Sequence, residues 1–330
     1  MTLLYAVGGR QRPGVHQRVD EWLHLGAGVI VSVCAETGTV ESCVEYVSPP
    51  DVCATPDDPS TLFKSGTLVD DKLYVPTPTE LLVYDLPSFH RSRYVSLPCF
   101  NDVHHVRPGP GGTLIVANTG LDMVVEIGPD DTVQREWSVI GEELWTRFAR
   151  EVDYRKVVST KPHRSHPNHV FFLDDELWVT RCDQHDMLCL TQDRGPVPVA
   201  PRPIHDGLVH GNSVYFTVVS GEVVEVDAGE KAVRRHHDLN RLVDGGPTLG
   251  WCRGLEVLDE DHVVVGFSRL RPTKWKENVR WVKHRLGGGG GSDLLPTRLM
   301  MFDLAKRRVC WEANLEEAGV NSLFSVHRAV

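Results

Sequence analysis

Between residues 166 and 190 the chain reads HPNHVFFLDDELWVTRCDQHDMLCL, and the architecture follows from this stretch. A β-rich run meets the turn pair Asp174-Asp175, then a second run, Leu177-Trp178-Val179, and a third from Asp186 to Leu190. Both runs carry the branched and aromatic residues that suit a pleated surface. The same layout recurs. The other second strands read Leu73-Tyr74-Val75, Leu114-Ile115-Val116, Val214-Tyr215-Phe216 and Val263-Val264-Val265. Third strands fall at Leu81 to Asp85, Met123 to Ile127, Glu222 to Asp227 and Arg298 to Asp303. Asp70-Asp71, Gly109 to Gly112, Gly211-Asn212 and Asp259 to Asp261 occupy the first turns, where residues tolerant of positive φ are needed. More polar fourth strands follow, such as Arg93 to Leu97 and Val133 to Ile140. Four short antiparallel strands per repeat define a propeller blade.

The termini complete the ring. Leu323 to Ala329 reads as an inner strand with no successor, while Leu3 to Val7, Val29 to Cys34 and Val40 to Val47 read as strands with no predecessor. One blade built from both ends leaves no exposed sheet edge. The expectation is an all-β chain: a single six-bladed β-propeller over residues 1–330, closed by the C-terminal strand pairing with N-terminal strands. Two insertions interrupt it. Residues 137–164 include Leu144, Phe148 and Val152 at helical spacing, which predicts a short amphipathic helix over Glu142 to Tyr154. Residues 269–297 hold a Gly-rich tract, Gly287 to Ser292, expected to be a mobile linker.

Composition narrows the function classes. Among 330 residues, 41% are hydrophobic and 24% charged, the balance of a globular protein. No apolar run approaches membrane-spanning length, and the first residues lack a secretory signal. The eight cysteines contain no C-x-x-C pair, so free thiols in a reducing cytoplasm are expected. The net charge of −10 argues against nucleic-acid partners. Against that average, the basic insertion holds Arg269, Arg271, Lys274, Lys276, Arg280, Lys283 and Arg285 beside one acidic residue, Glu277. Such an excess predicts attraction of a small anionic or polar substrate. No phosphate loop follows the Gly-rich tract, so no nucleotide cofactor is expected.

Candidate site residues come from the starts of inner strands, which line a propeller's channel. These are Asn101-Asp102-Val103-His104-His105, His166-Pro167-Asn168-His169, His205-Asp206, Cys252-Arg253-Gly254 and Ser325-Val326-His327. Five of the 16 histidines sit there as His104, His166, His169, His205 and His327. Converging polar groups in a pocket form the default site. One reading makes His104, His166, His169 and His205 ligands of a divalent metal, zinc or iron, with calcium if Asn101, Asp102, Asn168 and Asp206 dominate. The other is metal-free proton transfer, with Asp102 and His104 as the better pair because residues two apart share a strand face. Adjacent His205 and Asp206 should point oppositely.

Asp102-Val103-His104, His166-x-Asn168, His205, Arg253-Gly254-Leu255, the run Val265 to Arg271 and the closing Leu323-Phe324-Ser325-Val326 resemble an uncharacterised bacterial six-bladed propeller family, a conserved domain of unknown function. The resemblance covers roughly residues 60 to 330. It implies Asp102, His104, His166, Asn168, His205, Arg253, Ser268 and Arg271 as site residues. His169 departs from it, standing where the family tends to have a small residue, and so does the Gly-rich insertion. A looser similarity links the chain to lactonase-like propellers of the gluconolactonase type, which hold one calcium through Glu, Asn and Asp. Glu256 lies at a different depth from the Glu expected there. Aryl-sulfate-type transferases use His and Arg in the channel, as His104, His205 and Arg253 would allow.

The expected function is an enzyme of hydrolase, lyase or isomerase type acting at the channel. In it, Asp102, His104, His205 and Arg253 are catalytic, and Asn168, Ser268 and Arg271 bind substrate. The alternative is a non-catalytic propeller serving as a protein- or ligand-binding module.

Overall fold

A computed structural model describes residues 2–13, 24–245, 248–270 and 295–329. Its strands, numbered in chain order, form six four-stranded antiparallel sheets in a ring, a six-bladed β-propeller. The first complete blade comprises β4 (Thr67–Val69), β5 (Lys72–Pro76), β6 (Leu81–Asp85) and β7 (His90–Val95). Next come β8 (Val103–Pro108), β9 (Leu114–Asn118), β10 (Met123–Ile127) and β11 (Val133–Ser138). The third blade is β12 (Pro167–Leu173), β13 (Glu176–Arg181), β14 (Asp186–Cys189) and β15 (Val197–Pro198). The fourth is β16 (Ile204–His210), β17 (Ser213–Val218), β18 (Glu222–Asp227) and β19 (Ala232–Asp238). The fifth is β20 (Trp251–Val257), β21 (His262–Ser268), β22 (Arg298–Asp303) and β23 (Arg308–Asn314).

The sixth blade joins the termini, with β1 (Leu3–Gln11), β2 (Leu25–Cys34) and β3 (Val40–Tyr46) extended inward by β24 (Ser322–Arg328). The closing pair is antiparallel, with Leu4 opposite Arg328 and Ala6 opposite Val326, and its register shifts between Val7 and Gly8. Glycine is required at that shift. A Cβ on Gly8 would lie 2.1 Å from the Ser322 carbonyl oxygen. Side chains then seal the ring: the Ser65 hydroxyl donates to the Phe324 carbonyl at 3.0 Å, and the Gly66 N–H donates to the Ser325 hydroxyl at 3.1 Å.

The core lies between neighbouring blades. Phe171, Trp178 and Met187 of the third sheet interdigitate with Val214, Phe216 and Val224 of the fourth. Phe171 and Phe216 are fully buried, each worth about 1.5–3 kcal/mol relative to exposure.

The helix expected over Glu142 to Tyr154 is not formed. Among the described residues there is no α-helix, and here turns lead to a 3-10 turn at Tyr154–Lys156. Trp145 adopts φ 66, which a helix does not accommodate. Leu144, Trp145 and Phe148 still pack onto the cluster of Leu121, Met123 and Tyr154, but Val152 is 40% exposed. Burial without helical geometry explains the apparent stripe. Among the described residues no helix is long and apolar enough to cross a membrane. The Gly-rich tract and most of the basic insertion lie outside the described residues.

Candidate functional site

Four inner strands carry an irregularity at the same depth. In β8, Val103 pairs with Asn118 and His105 with Ala117, so His104 is the extra residue of a bulge. Likewise Asn168 is skipped between Pro167 and His169 in β12. Asp206 and Gly207 are skipped in β16, and Arg253 and Gly254 in β20. Left-handed backbone accompanies these bulges at Asp102, His166, Asp206 and Gly254. A bulge frees a residue from the ladder and re-aims its side chain, and of the skipped residues His104 and Arg253 line the cavity, joined there by His166 and His205 beside the other two bulges.

There, a cavity of about 1370 Å³ is floored by Lys64, His104, His166, His205, Arg253 and Phe324. Lys64 precedes β4, its N–H donating to the Pro76 carbonyl at 2.9 Å. Its side chain is 1% exposed, and its ammonium pairs with the Asp102 carboxylate. Burial is the largest influence on Lys64 and pushes its pKa down to about 8, while Asp102 pulls it up. His104 stands against this pair. Its Nδ1 lies 2.8 Å from the Asp102 carbonyl oxygen, which can only accept, so Nδ1 carries the ring proton and Nε2 the lone pair. Lys64 Nζ lies 3.2 Å from Nδ1 and 3.5 Å from Nε2.

The other imidazoles extend outward from His104. Its ring centroid is 4.6 Å from that of His166, which in turn is 6.4 Å from that of His205. His163 meets His166 at 3.2 Å between Nδ1 atoms, and its Nε2 is 3.9 Å from Asp102 Oδ2. All four imidazoles have pKa values pushed down, first by burial; nearby Lys64, His163 and Arg253 are among the further causes for His104, His166 and His205 respectively. They are neutral at neutral pH. Asp122 holds the loop that delivers His166: its Oδ1 accepts from the N–H groups of Ser165 (2.9 Å) and His166 (3.1 Å). Arg253 places its guanidinium 4.0 Å above the Phe324 ring.

Several expected site residues are engaged elsewhere. Asn168 donates to the Ile204 carbonyl at 2.8 Å, tying two blades. The Ser268 hydroxyl borders the cavity but donates to the Leu323 carbonyl and accepts from its N–H, at 3.2 and 2.8 Å. Asp206, at the bulge, accepts from Thr217 and from the Gly254 N–H at 3.2 Å. Burial raises its pKa to about 6. Arg271 lies outside the described residues. His169 belongs to a different level, stacked on His105 with ring centroids 3.6 Å apart. The structure therefore brings His104, His166 and His205 to one wall and leaves His169 off it.

Lys64 already supplies the cation beside Asp102. Among the described residues, the His, Cys, Asp or Glu group whose ligand atoms all lie within 4.8 Å is His262, Asp303 and Cys310, far from the inner strands. Asp303 is there already flanked by Lys306 at 3.2 Å and Arg308 at 3.8 Å. Around the cavity, seven Lys or Arg face three carboxylates, the reverse of the chain's net charge of −10. Arg202, Arg241 and Arg307 come from outer segments, and Lys161 from the first insertion. Lys64, His163 and Asp122 are absent from the sequence-based site. Lys64 had a usable signal, since Lys64-Ser65-Gly66 enters the first inner strand as the other candidate segments enter theirs.

No known family profile matches the chain, and no curated protein matches it in sequence. Among solved structures, a protein of unknown function from Bacteroides caccae is similar over 99% of both chains, with a TM-score of 0.63 and 12% identity. A chain of a mitotic checkpoint complex is similar over 93% of this chain and 80% of its own length, with a TM-score of 0.47 and 9% identity. At 12% identity the likeness to the Bacteroides caccae protein is one of fold alone.

Proposed function

We propose that the protein is an enzyme that binds a small anionic metabolite at the channel mouth and moves a proton on it. The observation that carries this reading is a buried Lys64–Asp102–His104 group beneath a cavity where basic residues outnumber acidic ones. Arg253 provides the anion contact, since a guanidinium matches carboxylate, sulfate and phosphate geometry. Neutral His104, with its Nε2 lone pair available, acts as general base. His205 and His166 are placed to bind or relay. Eight unpaired cysteines suit a reducing, cytoplasmic setting.

Titration calorimetry with glycolate, sulfate and phosphate tests this reading on the wild type, Arg253→Met and His104→Gln. At least one anion should bind, with Arg253→Met weakening it about tenfold or more, the worth of a charge-assisted contact. Absence of binding, or affinity indifferent to Arg253→Met, would overturn it.

A further inference from the structure

We infer that Lys64 is the covalent residue of this site, its amine condensing with the carbonyl carbon of a small anionic aldehyde or 2-oxo acid. The inference rests on the anion-binding reading above and adds to it a substrate class and a bond.

Burying a lysine is costly, and this one is 1% exposed. A purely structural cation for Asp102 would need no further equipment. Lys64 instead lines the floor of the cavity, its Nζ 3.2 Å from Nδ1 and 3.5 Å from Nε2 of His104. Burial, with Lys161 and Arg253 adding like charge, pushes its pKa down to about 8 despite Asp102. Desolvation and neighbouring cations are the usual means of making a lysine nucleophilic near neutral pH. An amine of ordinary pKa is about one part in 2,500 unprotonated at pH 7, and one of pKa about 8 roughly one part in ten.

The atoms balance without a further reactant. The Lys64 ammonium gives a proton to His104 Nε2. The freed electron pair forms the C–N bond as the carbonyl π bond breaks, and its oxygen takes a proton from His104. The resulting carbinolamine loses that oxygen as water, leaving a protonated imine. Overall, an ammonium and a carbonyl compound become an iminium and water. Arg253 would hold the substrate's anionic group, and Asp102 would take up the iminium charge as it had the ammonium's. The four-carbon stem of lysine allows Nζ to swing from Asp102 toward the cavity.

Glyoxylate with sodium cyanoborohydride is the probe, since reduction fixes the imine as a carboxymethyl-lysine. Peptide mapping by mass spectrometry at pH 7 should find Lys64 labelled at least about tenfold faster than exposed Lys72 and Lys306, a margin well inside the protonation advantage. Glycolate, which has the anion and no carbonyl, should slow labelling at Lys64 alone. Lys64→Arg, which keeps a cation for Asp102, should remove the fast phase while calorimetry still detects glycolate. Labelling spread by exposure, with Lys64 no faster than the surface lysines while glycolate binds, overturns the covalent step and leaves the anion site standing. Failure of glycolate, sulfate and phosphate to bind at all overturns both.

Discussion

His104 and His105 are neighbours in sequence and belong to two different regions of the channel. His105 is fully buried and spent: Nδ1 accepts the Val170 N–H at 3.2 Å, and Nε2 donates toward the Gly66 carbonyl at 3.2 Å and the Thr67 hydroxyl at 3.1 Å. His169 stacks on it, and His327 completes that level through a 2.9 Å contact with the Ser325 hydroxyl. Of these imidazoles His105 ties inner strands together, while His327 contacts Ser325 of its own strand. One bulge away, His104 has Nδ1 on the Asp102 carbonyl, with Lys64 Nζ 3.2 Å from Nδ1 and 3.5 Å from Nε2, and its ring lines the cavity. The same side chain is structural in His105, where both ring nitrogens meet backbone groups, and chemical in His104, where the ring lines the cavity beside Lys64. That difference comes from the backbone irregularity rather than from residue type.

Acid should break both regions, with the largest effect of any change considered. The folded-state pKa of each buried imidazole is depressed, His169 to about 3 and His327 to about 4, so the unfolded chain takes protons first. Stability from these groups is present above about 6.5 and is lost as pH falls toward 3–4. Each contributes a slope of about 1.4 kcal/mol per pH unit within its window. Asp206 opposes this: its pKa is raised to about 6, so its contribution is present below the ordinary carboxylate range and disappears as pH rises through 6. Glu256, raised to about 7 by burial, and Asp183, also raised by burial, oppose it likewise, but these carboxyls do not offset the six deeply depressed imidazoles. The melting temperature should drop steeply from pH 7 to 5, and a flat profile would contradict neutral, buried histidines.

Lys64→Met breaks the chemical region selectively. It strands the Asp102 carboxylate, 6% exposed, at a cost of about 3–5 kcal/mol. Adding Asp102→Asn removes the stranded charge and should recover much of the loss, which denaturant titration of single and double variants would show. Equal destabilisation in both would mean that the pair is not a buried ion pair. A smaller change sharpens the contrast between neighbours. His105→Leu leaves the Val170 N–H and Gly66 carbonyl unpaired and should cost about 1–3 kcal/mol, with anion affinity unchanged. His104→Gln should do the converse, weakening ligand while sparing stability. If both variants lost affinity equally, the two levels would be one site.

The repeat was legible in sequence because blade strands are local: branched residues, Asp-rich turns and spacing lie within one segment, as in residues 170–190. Closure was legible too, since Leu323 to Ala329 lacked partners that only the N-terminal strands could supply. The site was legible in part. Alternation could not register the skipped residues at His104, Asn168, Asp206 and Arg253, since a bulge appears only in the pairing. Lys64 escaped because a lysine among apolar neighbours usually marks a solvated turn, and its burial depends on Asp102, distant along the chain. The helix at 142–154 failed for a related reason. Leu144 and Phe148 are apolar because blade two needs covering, and positive φ at Trp145 achieves that without helical turns.

Ser268 gives the finest test of where the chemical region ends. It borders the cavity, yet its hydroxyl both donates to and accepts from the backbone of Leu323, joining β21 to the closing strand β24. A hydroxyl has one proton to give, and here the Leu323 carbonyl receives it, so a ligand could use only a remaining acceptor lone pair. Sulfate offers no proton for that lone pair, nor does the carboxylate group of glycolate. Ser268→Ala should therefore cost about 1 kcal/mol of stability through the two lost bonds and leave anion affinity within about twofold. Calorimetry and thermal melts on one preparation separate the outcomes. A tenfold loss of affinity with an unchanged melt would mean that the hydroxyl turns from Leu323 to the ligand, extending the chemical region to the rim of the fifth blade.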